Sequence, residues 1–227
     1  VIRQELLKQL TEIIISIKRP HPVRVAIDGV DVAGKTILAD ELTESLEKTG
    51  KHVIRASIDG FHRPRKDRYV RGADSAQGYY YDSFDYDALK QAILIPLGPR
   101  GNCKYCRAVF DYRIDSSVQE PLQKAQTDSI LLFDGVFLLG PELYDHWNYR
   151  IFIKVDFETV LQRVASRDQH LFGSPDKVRA RYLKRYIPGQ KIYLHKARPE
   201  ENADVVIIND DPVNPRIIFQ HNYQNVP

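Results

Sequence analysis

Apolar residues at the start of the chain, Ile2, Leu6, Leu7, Leu10, Ile13, Ile14 and Ile17, recur at three- and four-residue spacing and predict an amphipathic helix. Pro20 and Pro22 end it, because proline neither donates a backbone hydrogen bond nor continues a helix. Val23–Ile27 is a short β-branched run that enters a glycine turn. Thr36–Lys48 then carries Leu38, Leu42 and Leu46 on one face, a second helix closed by Gly50. His52–Ile58 reads as the next strand and ends at Asp59-Gly60. Asp85 stands as the N-cap of a helix through Ala88, Leu89, Ala92 and Ile93, stopped by Pro96. Ser129–Phe133 is a continuous apolar run of the kind found in buried parallel strands, and Arg150–Val155 reads as another. A helix over Phe157–Arg167, a basic helix over Lys177–Tyr186 and a late strand over Ala203–Ile208 complete the pattern, while Leu97–Gln126 predicts a loop or short hairpin. Strands alternating with helices predict an α/β fold, a parallel sheet with helices on both faces.

Length adds a domain count. At about 100–200 residues per domain, the 227 residues predict one domain over 1–227, with a lid at about 163–198. The 13 tyrosines and 9 phenylalanines argue against disorder. No apolar run approaches the roughly 20 residues of a membrane span, and Ile130–Gly140 is interrupted by Asp134. Glu5, Lys8 and Glu12 interrupt the first helix, unlike the apolar core of a signal peptide. Cys103 and Cys106 have metal-like spacing but no second ligand pair, so they read as ordinary thiols in a reducing, cytoplasmic setting. The expected partner is a small molecule, without nucleic acid or membrane, and a homo-oligomer is left open.

Charge narrows the ligand. The net charge of +3 conceals two basic stretches, Phe61–Arg71 and Arg163–Arg198, that together carry +12 against −9 elsewhere. This distribution suits an anion held between them, and no base-reading nucleic-acid module accompanies it.

Gly29-Val30-Asp31-Val32-Ala33-Gly34-Lys35-Thr36 matches G-x-x-x-x-G-K-[ST] between a strand and a helix. Glycines let the backbone curl so that N–H groups face phosphate oxygens, and the following helix adds its positive end. Gly29, Val32, Ala33, Gly34, Lys35 and Thr36 are therefore the candidate ATP-binding residues. The Lys35 ammonium is expected on the β/γ phosphates and the Thr36 hydroxyl on Mg²⁺.

Three acids fall at strand ends, where open α/β sheets bind ligands. Asp28 is expected to bond turn amides, and Asp134 to steady Mg²⁺. Asp59, before a cationic and aromatic loop, is the candidate base on an acceptor hydroxyl. Arg163 and Arg167 stand one helical turn apart and are candidate stabilisers of transition-state charge. The Tyr79-Tyr80-Tyr81-Asp82 run offers a stacking wall with a carboxylate for a sugar diol.

With these residues in hand, the chain from about Val23 to Asn209 resembles the uridine/cytidine kinase and phosphoribulokinase group of P-loop kinases. The resemblance rests on the cradle, Asp59-Gly60-Phe61-His62, Tyr81-Asp82-Ser83-Phe84-Asp85, Phe133-Asp134-Gly135-Val136-Phe137, Arg167-Asp168 and Ala203-Asp204-Val205-Val206. It implies a P-loop NTPase fold and ATP- and Mg²⁺-dependent phosphorylation of a nucleoside 5′-hydroxyl, uridine or cytidine. Asp59 would be the base, His62 and Tyr81 would belong to the substrate site, Asp82 would bind the ribose, and Arg163 and Arg167 would belong to the lid. Phe110 and Asp115 align with the family's pyrimidine-reading tyrosine and histidine, and Arg185 with a glutamine near the substrate. The alternatives are a kinase of nicotinamide riboside, pantothenate or a phosphosugar, or a P-loop regulatory ATPase. Against the last, no Asn-Lys-x-Asp or Leu-Ser-Gly-Gly-Gln motif occurs.

Overall fold

Every strand expected from the apolar runs lies in one central sheet. The computed structural model describes residues 2–167 and 173–220; Asp168 and residues 169–172 of the expected lid lie outside the described residues. Across the sheet the order is Arg216–Phe219, Val205–Ile208, Tyr149–Lys154, β1 (Val23–Gly29), Ile130–Gly135 and Val53–Ser57. All pairs are parallel except the first, which is antiparallel. That edge strand was not expected, because four residues with partly exposed side chains carry little burial signal.

The pleat divides the core. Val25, Ile27, Leu132, Ile151 and Ile153 face α1 (Arg3–Ser16), α2 (Lys35–Glu47) and the Phe157–Arg167 helix. Ala26, Leu131, Phe133, Phe152 and Val206 face a second core with Phe61, Tyr80, Phe137 and Tyr193. Each buried Leu, Ile or Phe contributes about 1.5–3 kcal/mol. Helix α1 presents Leu6, Leu10 and Ile14 as its period predicts, and Thr11 donates to Ser45 Oγ of α2 at 2.8 Å.

Two helices differ from expectation in a related way. The Asp85 cap forms, accepting from the Ala88 N–H at 2.9 Å, but after Tyr86–Leu89 the helix widens into a π-turn at Lys90–Leu94. The basic helix expected over Lys177–Tyr186 runs on, as Pro175–Arg181, a π-turn at Tyr182–Tyr186 and then Ile187–Ala197. Pro188 fails to stop it because the Ile187 N–H bonds back five residues to the Tyr182 carbonyl. The wider turn takes the ring that would clash in an α-helix interior. The Leu97–Gln126 segment holds two short antiparallel pairings, Lys104–Tyr105 with Gln123–Lys124 and Phe110–Asp111 with Ser116–Ser117.

Register places the site. Asp28 aligns with Gly135 and Gly29 with Ile153, so β1 ends level with both neighbours. Elements lead away from β1 on both sides, which opens a crevice at the strands' carboxyl ends.

Candidate active site

The cradle begins where β1 ends. A Cβ on Gly29 would lie 2.5 Å from the Ile153 carbonyl oxygen, so only glycine allows the chain to leave the sheet there. Left-handed backbone at Val32 (φ 53°) and Gly34 (φ 95°) then curls the segment back before α2 starts at Lys35. For a β-branched residue such as Val32 this conformation costs about 1–3 kcal/mol and persists only where surroundings hold it. They do: Arg163 Nη1 donates to the Val32 carbonyl at 3.1 Å, and Asn209 Nδ2 to the Ala33 carbonyl at 2.8 Å.

Beneath the cradle lies Asp28, fully buried. Its Oδ1 accepts from the Gly29 N–H at 2.7 Å, the expected turn amide. Its Oδ2 accepts from the Leu139 N–H at 3.3 Å and from the Tyr193 hydroxyl. Burial pushes the carboxyl up to about 6, against these donors and the Lys35 charge.

Lys35 Nζ donates to the Val30 carbonyl at 2.8 Å. Desolvation pulls its ammonium below the usual lysine range, opposed by the carboxylates of Asp31, Asp28, Asp134 and Asp59 in that order. The Thr36 hydroxyl donates to Asp134 Oδ2 at 2.8 Å, and Arg55 Nη1 donates to the other oxygen at 3.1 Å. Asp59 follows the Val53–Ser57 strand in a tight turn over Ile58–Phe61 and is exposed. His62 Nδ1 lies 3.1 Å from the Asp59 carbonyl oxygen, with its ring between Phe84 and Tyr112 at centroid distances of 4.6 and 4.7 Å. Burial lowers the His62 pKa, against Asp59, so the ring is neutral at pH 7.

Two chambers meet at the cradle. One, of about 250 Å³, is lined by Asp31, Asp59, His62 and a set of aromatic rings; the other, of about 440 Å³, by Gly34, Ile37 and Arg163. Val32, Lys35, Thr36 and Arg167 border both. Arg167 Nη2 donates to the Tyr182 hydroxyl at 3.2 Å, and Arg163 Nη2 to the carbonyls of Asn209 and Asp210 at 2.7 and 2.9 Å.

Of the residues singled out in the sequence, the cradle, Asp28, Asp59, His62, Asp134, Arg163 and Arg167 converge here. The others do not. Tyr81 is 43% exposed and lines a separate cavity with Arg63 and Glu142. Asp82 is buried and accepts from Arg71 Nε at 2.8 Å, and the tyrosine that enters the chamber is Tyr79. Phe110 is buried in a short pairing, and Tyr112 takes the chamber wall. Asp115 accepts from the Arg65 N–H at 2.7 Å and Arg68 at 3.4 Å. Arg185, 2% exposed, donates to the carbonyls of Arg68, Gly72, Ala73 and Ser75. Helix pitch decides which of Tyr79, Tyr80, Tyr81 and Asp82 faces the chamber, since α-helical backbone over Ala76–Asp82 turns neighbours to different sides. Sequence reasoning passed over Arg55 and Asn209, which carry no motif, and Asp31, which sits at a variable position of one.

The donor set suits a nucleotide and a hard cation. A glycine-dependent cradle offers backbone amides and Lys35 an ammonium to phosphate, and the Thr36 hydroxyl beside the Asp134 carboxylate offers oxygen ligands to Mg²⁺. Among the described residues no cluster of three or more His, Cys, Asp or Glu forms an all-protein metal site, and no helix is long and apolar enough to cross a membrane.

Fold and cradle together are those of the P-loop NTPases. Within that class the chain is uridine kinase-like, as its relatives indicate. Uridine-cytidine kinase B of Dictyostelium discoideum is 26% identical over 214 residues, 88% of this chain and 81% of that protein. Uridine kinase of Latilactobacillus sakei is 22% identical over 173 residues, 75% of this chain and 79% of that one. The tRNA-specific adenosine deaminase subunit tad2 of Schizosaccharomyces pombe is 26% identical over 199 residues, 86% of this chain, and the chain spans about half (46%) of that protein's length. Among solved structures, a "possible uridine kinase" from Bacillus stearothermophilus superposes with a TM-score of 0.70 at 21% identity, covering 89% of this chain and 97% of that one. D-glycerate 3-kinase from Cryptococcus neoformans gives 0.61 at 13% identity, covering 94% and 99%. These structures share the fold. No protein-family model matches the chain.

Proposed function

We propose that this protein transfers the γ-phosphoryl group of Mg²⁺-ATP to a hydroxyl of a small molecule, with the 5′-hydroxyl of a nucleoside such as uridine or cytidine as the leading acceptor. The observation that carries the reading is the junction of two chambers at Lys35, Thr36 and Arg167, with Asp59 in one and Arg163 in the other. ATP would occupy the Arg163 chamber with its phosphates in the cradle. Thr36 and Asp134 would hold Mg²⁺, which neutralises phosphate charge when bound.

The acceptor hydroxyl would lie between Asp59 and the γ-phosphorus. Asp59 takes its proton as the new O–P bond forms, and the bond from the γ-phosphorus to the bridging oxygen breaks to release ADP. Lys35 and Arg167 at the junction stabilise the charge on the transferring group. Catalysis on this reading is mainly positioning and charge neutralisation.

Curated relatives named as uridine kinases support the nucleoside acceptor. The placement of Asp82, Phe110 and Asp115 outside the chamber favours, as the second reading, a different hydroxyl acceptor. The deciding experiment is ADP release with Mg²⁺-ATP across uridine, cytidine, nicotinamide riboside, pantothenate and ribulose 5-phosphate. Stimulation by uridine or cytidine, lost in Asp59→Asn with ATP binding intact, is the expected result. ADP release unaffected by every acceptor would overturn the reading.

A further inference from the structure

Arg55 occupies a position on the α2 side of the sheet whose neighbours, Val53 and Leu132, are apolar. Its strand, Val53–Ser57, is an edge of the sheet, so the stem can lie along α2. Every nitrogen of the guanidinium is engaged. Nε and Nη2 donate to Asp40 Oδ1 of α2 at 3.1 and 3.0 Å. Nη1 donates to Asp134 Oδ1 at 3.1 Å and to the carbonyls of Leu132 and Ala56 at 3.1 and 3.3 Å.

Thr36 and Asp40 stand one turn apart on α2 and share a face. The four side chains therefore close a circuit. Thr36 donates to Asp134 Oδ2, Arg55 donates to Asp134 Oδ1 and to Asp40, and α2 joins Asp40 to Thr36. The Asp134 carboxylate is held by both oxygens. Its side chain is only 4% exposed, and a buried charge is costly unless paired and hydrogen-bonded. Lys35 also interacts with this charge from the cradle, but Arg55 is the cation that bonds it.

The two oxygens of Asp134 are thus unlike. Oδ2 lies beside the Thr36 hydroxyl, whereas Oδ1 has a full positive charge 3.1 Å away. Mg²⁺ demands a small, near-octahedral cage, while the larger Ca²⁺ often takes both oxygens of one carboxylate. A guanidinium beside Oδ1 repels a cation that would share that oxygen.

Resting on the kinase reading, we propose that Arg55 is a positioning residue of the Mg²⁺ site. Clamped by Asp40, it fixes Asp134 so that one oxygen serves the metal beside Thr36, and it makes the site selective for Mg²⁺ over Ca²⁺. A prop for the fold alone would affect both metals alike.

The test measures by calorimetry the affinity for a non-hydrolysable ATP analogue, adenylyl imidodiphosphate, at saturating Mg²⁺, at saturating Ca²⁺ and in EDTA. Wild type is compared with Arg55→Met, which keeps the stem and removes the donors. Asp40→Asn loosens the clamp at a side chain that is 64% exposed, and it decides the question should Arg55→Met not fold. Ratios between metals within one variant cancel changes in folding and in metal-independent nucleotide affinity. The wild type is expected to bind the analogue tightest with Mg²⁺. Arg55→Met is expected to lower the Mg²⁺-to-Ca²⁺ affinity ratio about tenfold, the lower end of what loss of a ligand-orienting partner costs. Asp40→Asn moves the ratio the same way by less, and Arg55→Lys, which keeps the charge without the fork, falls between wild type and Arg55→Met. An unchanged ratio, an equal fall with both metals, or a wild type that binds the analogue as well with Ca²⁺ or EDTA as with Mg²⁺ would overturn the assignment. The expected shift in ratio without ADP release for any acceptor would instead overturn the kinase reading and leave the role of Arg55 standing.

Discussion

The Thr36 hydroxyl donates to Asp134 Oδ2 at 2.8 Å, joining residues 98 positions apart in the chain. The contact follows from register, because α2 begins at the end of β1 and Asp134 lies on the strand beside it. If the pair holds Mg²⁺, Thr36→Val, which keeps shape and removes the hydroxyl, lowers kcat about 100-fold and raises the Mg²⁺ concentration needed for half-activity. Steady-state rates across a Mg²⁺ titration check this. A variant with an unaltered Mg²⁺ requirement counts against the assignment.

Arg163 and Arg167 separate by chamber. Arg163 touches the Val32, Asn209 and Asp210 carbonyls and lines only the 440 Å³ chamber, whereas Arg167 borders both. Arg163→Ala is expected to raise the KM for ATP, and Arg167→Ala to lower kcat about 100-fold, the usual cost of one transition-state donor. The opposite pattern in the two kinetic constants would reverse the roles.

Gly34→Ala combines two penalties. Alanine at φ 95° costs about 1 kcal/mol, and its Cβ would lie 2.9 Å from Asn209 Nδ2. The cradle's hydrogen bond from Asn209 must loosen, so ATP affinity is expected to fall more than the melting temperature. Calorimetric binding beside a thermal melt separates the two.

Arg185 acts as a strut. Its guanidinium donates to four carbonyls around residues 68–75 and lies 4.7 Å from the Tyr69 ring centroid. Arg185→Ala is expected to cost about 2–3 kcal/mol, a fall in Tm of roughly 5–10 °C, without reordering acceptor preference. A changed acceptor ranking at unchanged Tm would return it to the substrate site.

Asp28 gives a signed pH dependence. Its carboxyl ionises near 6 in the folded chain and near 3.8 when unfolded. Between those values the folded chain holds the extra proton, so this residue's contribution to stability falls as pH rises from about 4 to about 6 and is level above. The total is about 3 kcal/mol. Denaturant midpoints for the wild type and Asp28→Asn should diverge only across that window, and parallel curves would refute the shift.

Periodicity in the sequence was enough to place α1, α2 and the five parallel strands, because burial of one face repeats every 3.6 or 2 residues. The cradle was legible because its chemistry is contiguous: glycines, lysine and threonine act through local backbone. Asp59, Asp134 and Asp28 were legible because strand ends converge in any parallel sheet. The extension of the basic helix past Pro188 was not, since the π-turn that accommodates the ring is a property of the packed helix. Nor was the membership of the Asp59 chamber.

Which tyrosine of Tyr79-Tyr80-Tyr81 enters it depends on a helix phase fixed by packing, and whether Arg71 or Arg185 reaches it depends on acids and carbonyls distant in sequence. Asp31 became a wall of that chamber only when Gln190, 159 residues away, came within 2.7 Å. The sequence alone determined the phosphate-binding chemistry, which is written in consecutive residues. Tertiary structure decided what lines the Asp59 chamber, because long-range pairing chooses which side chains reach it.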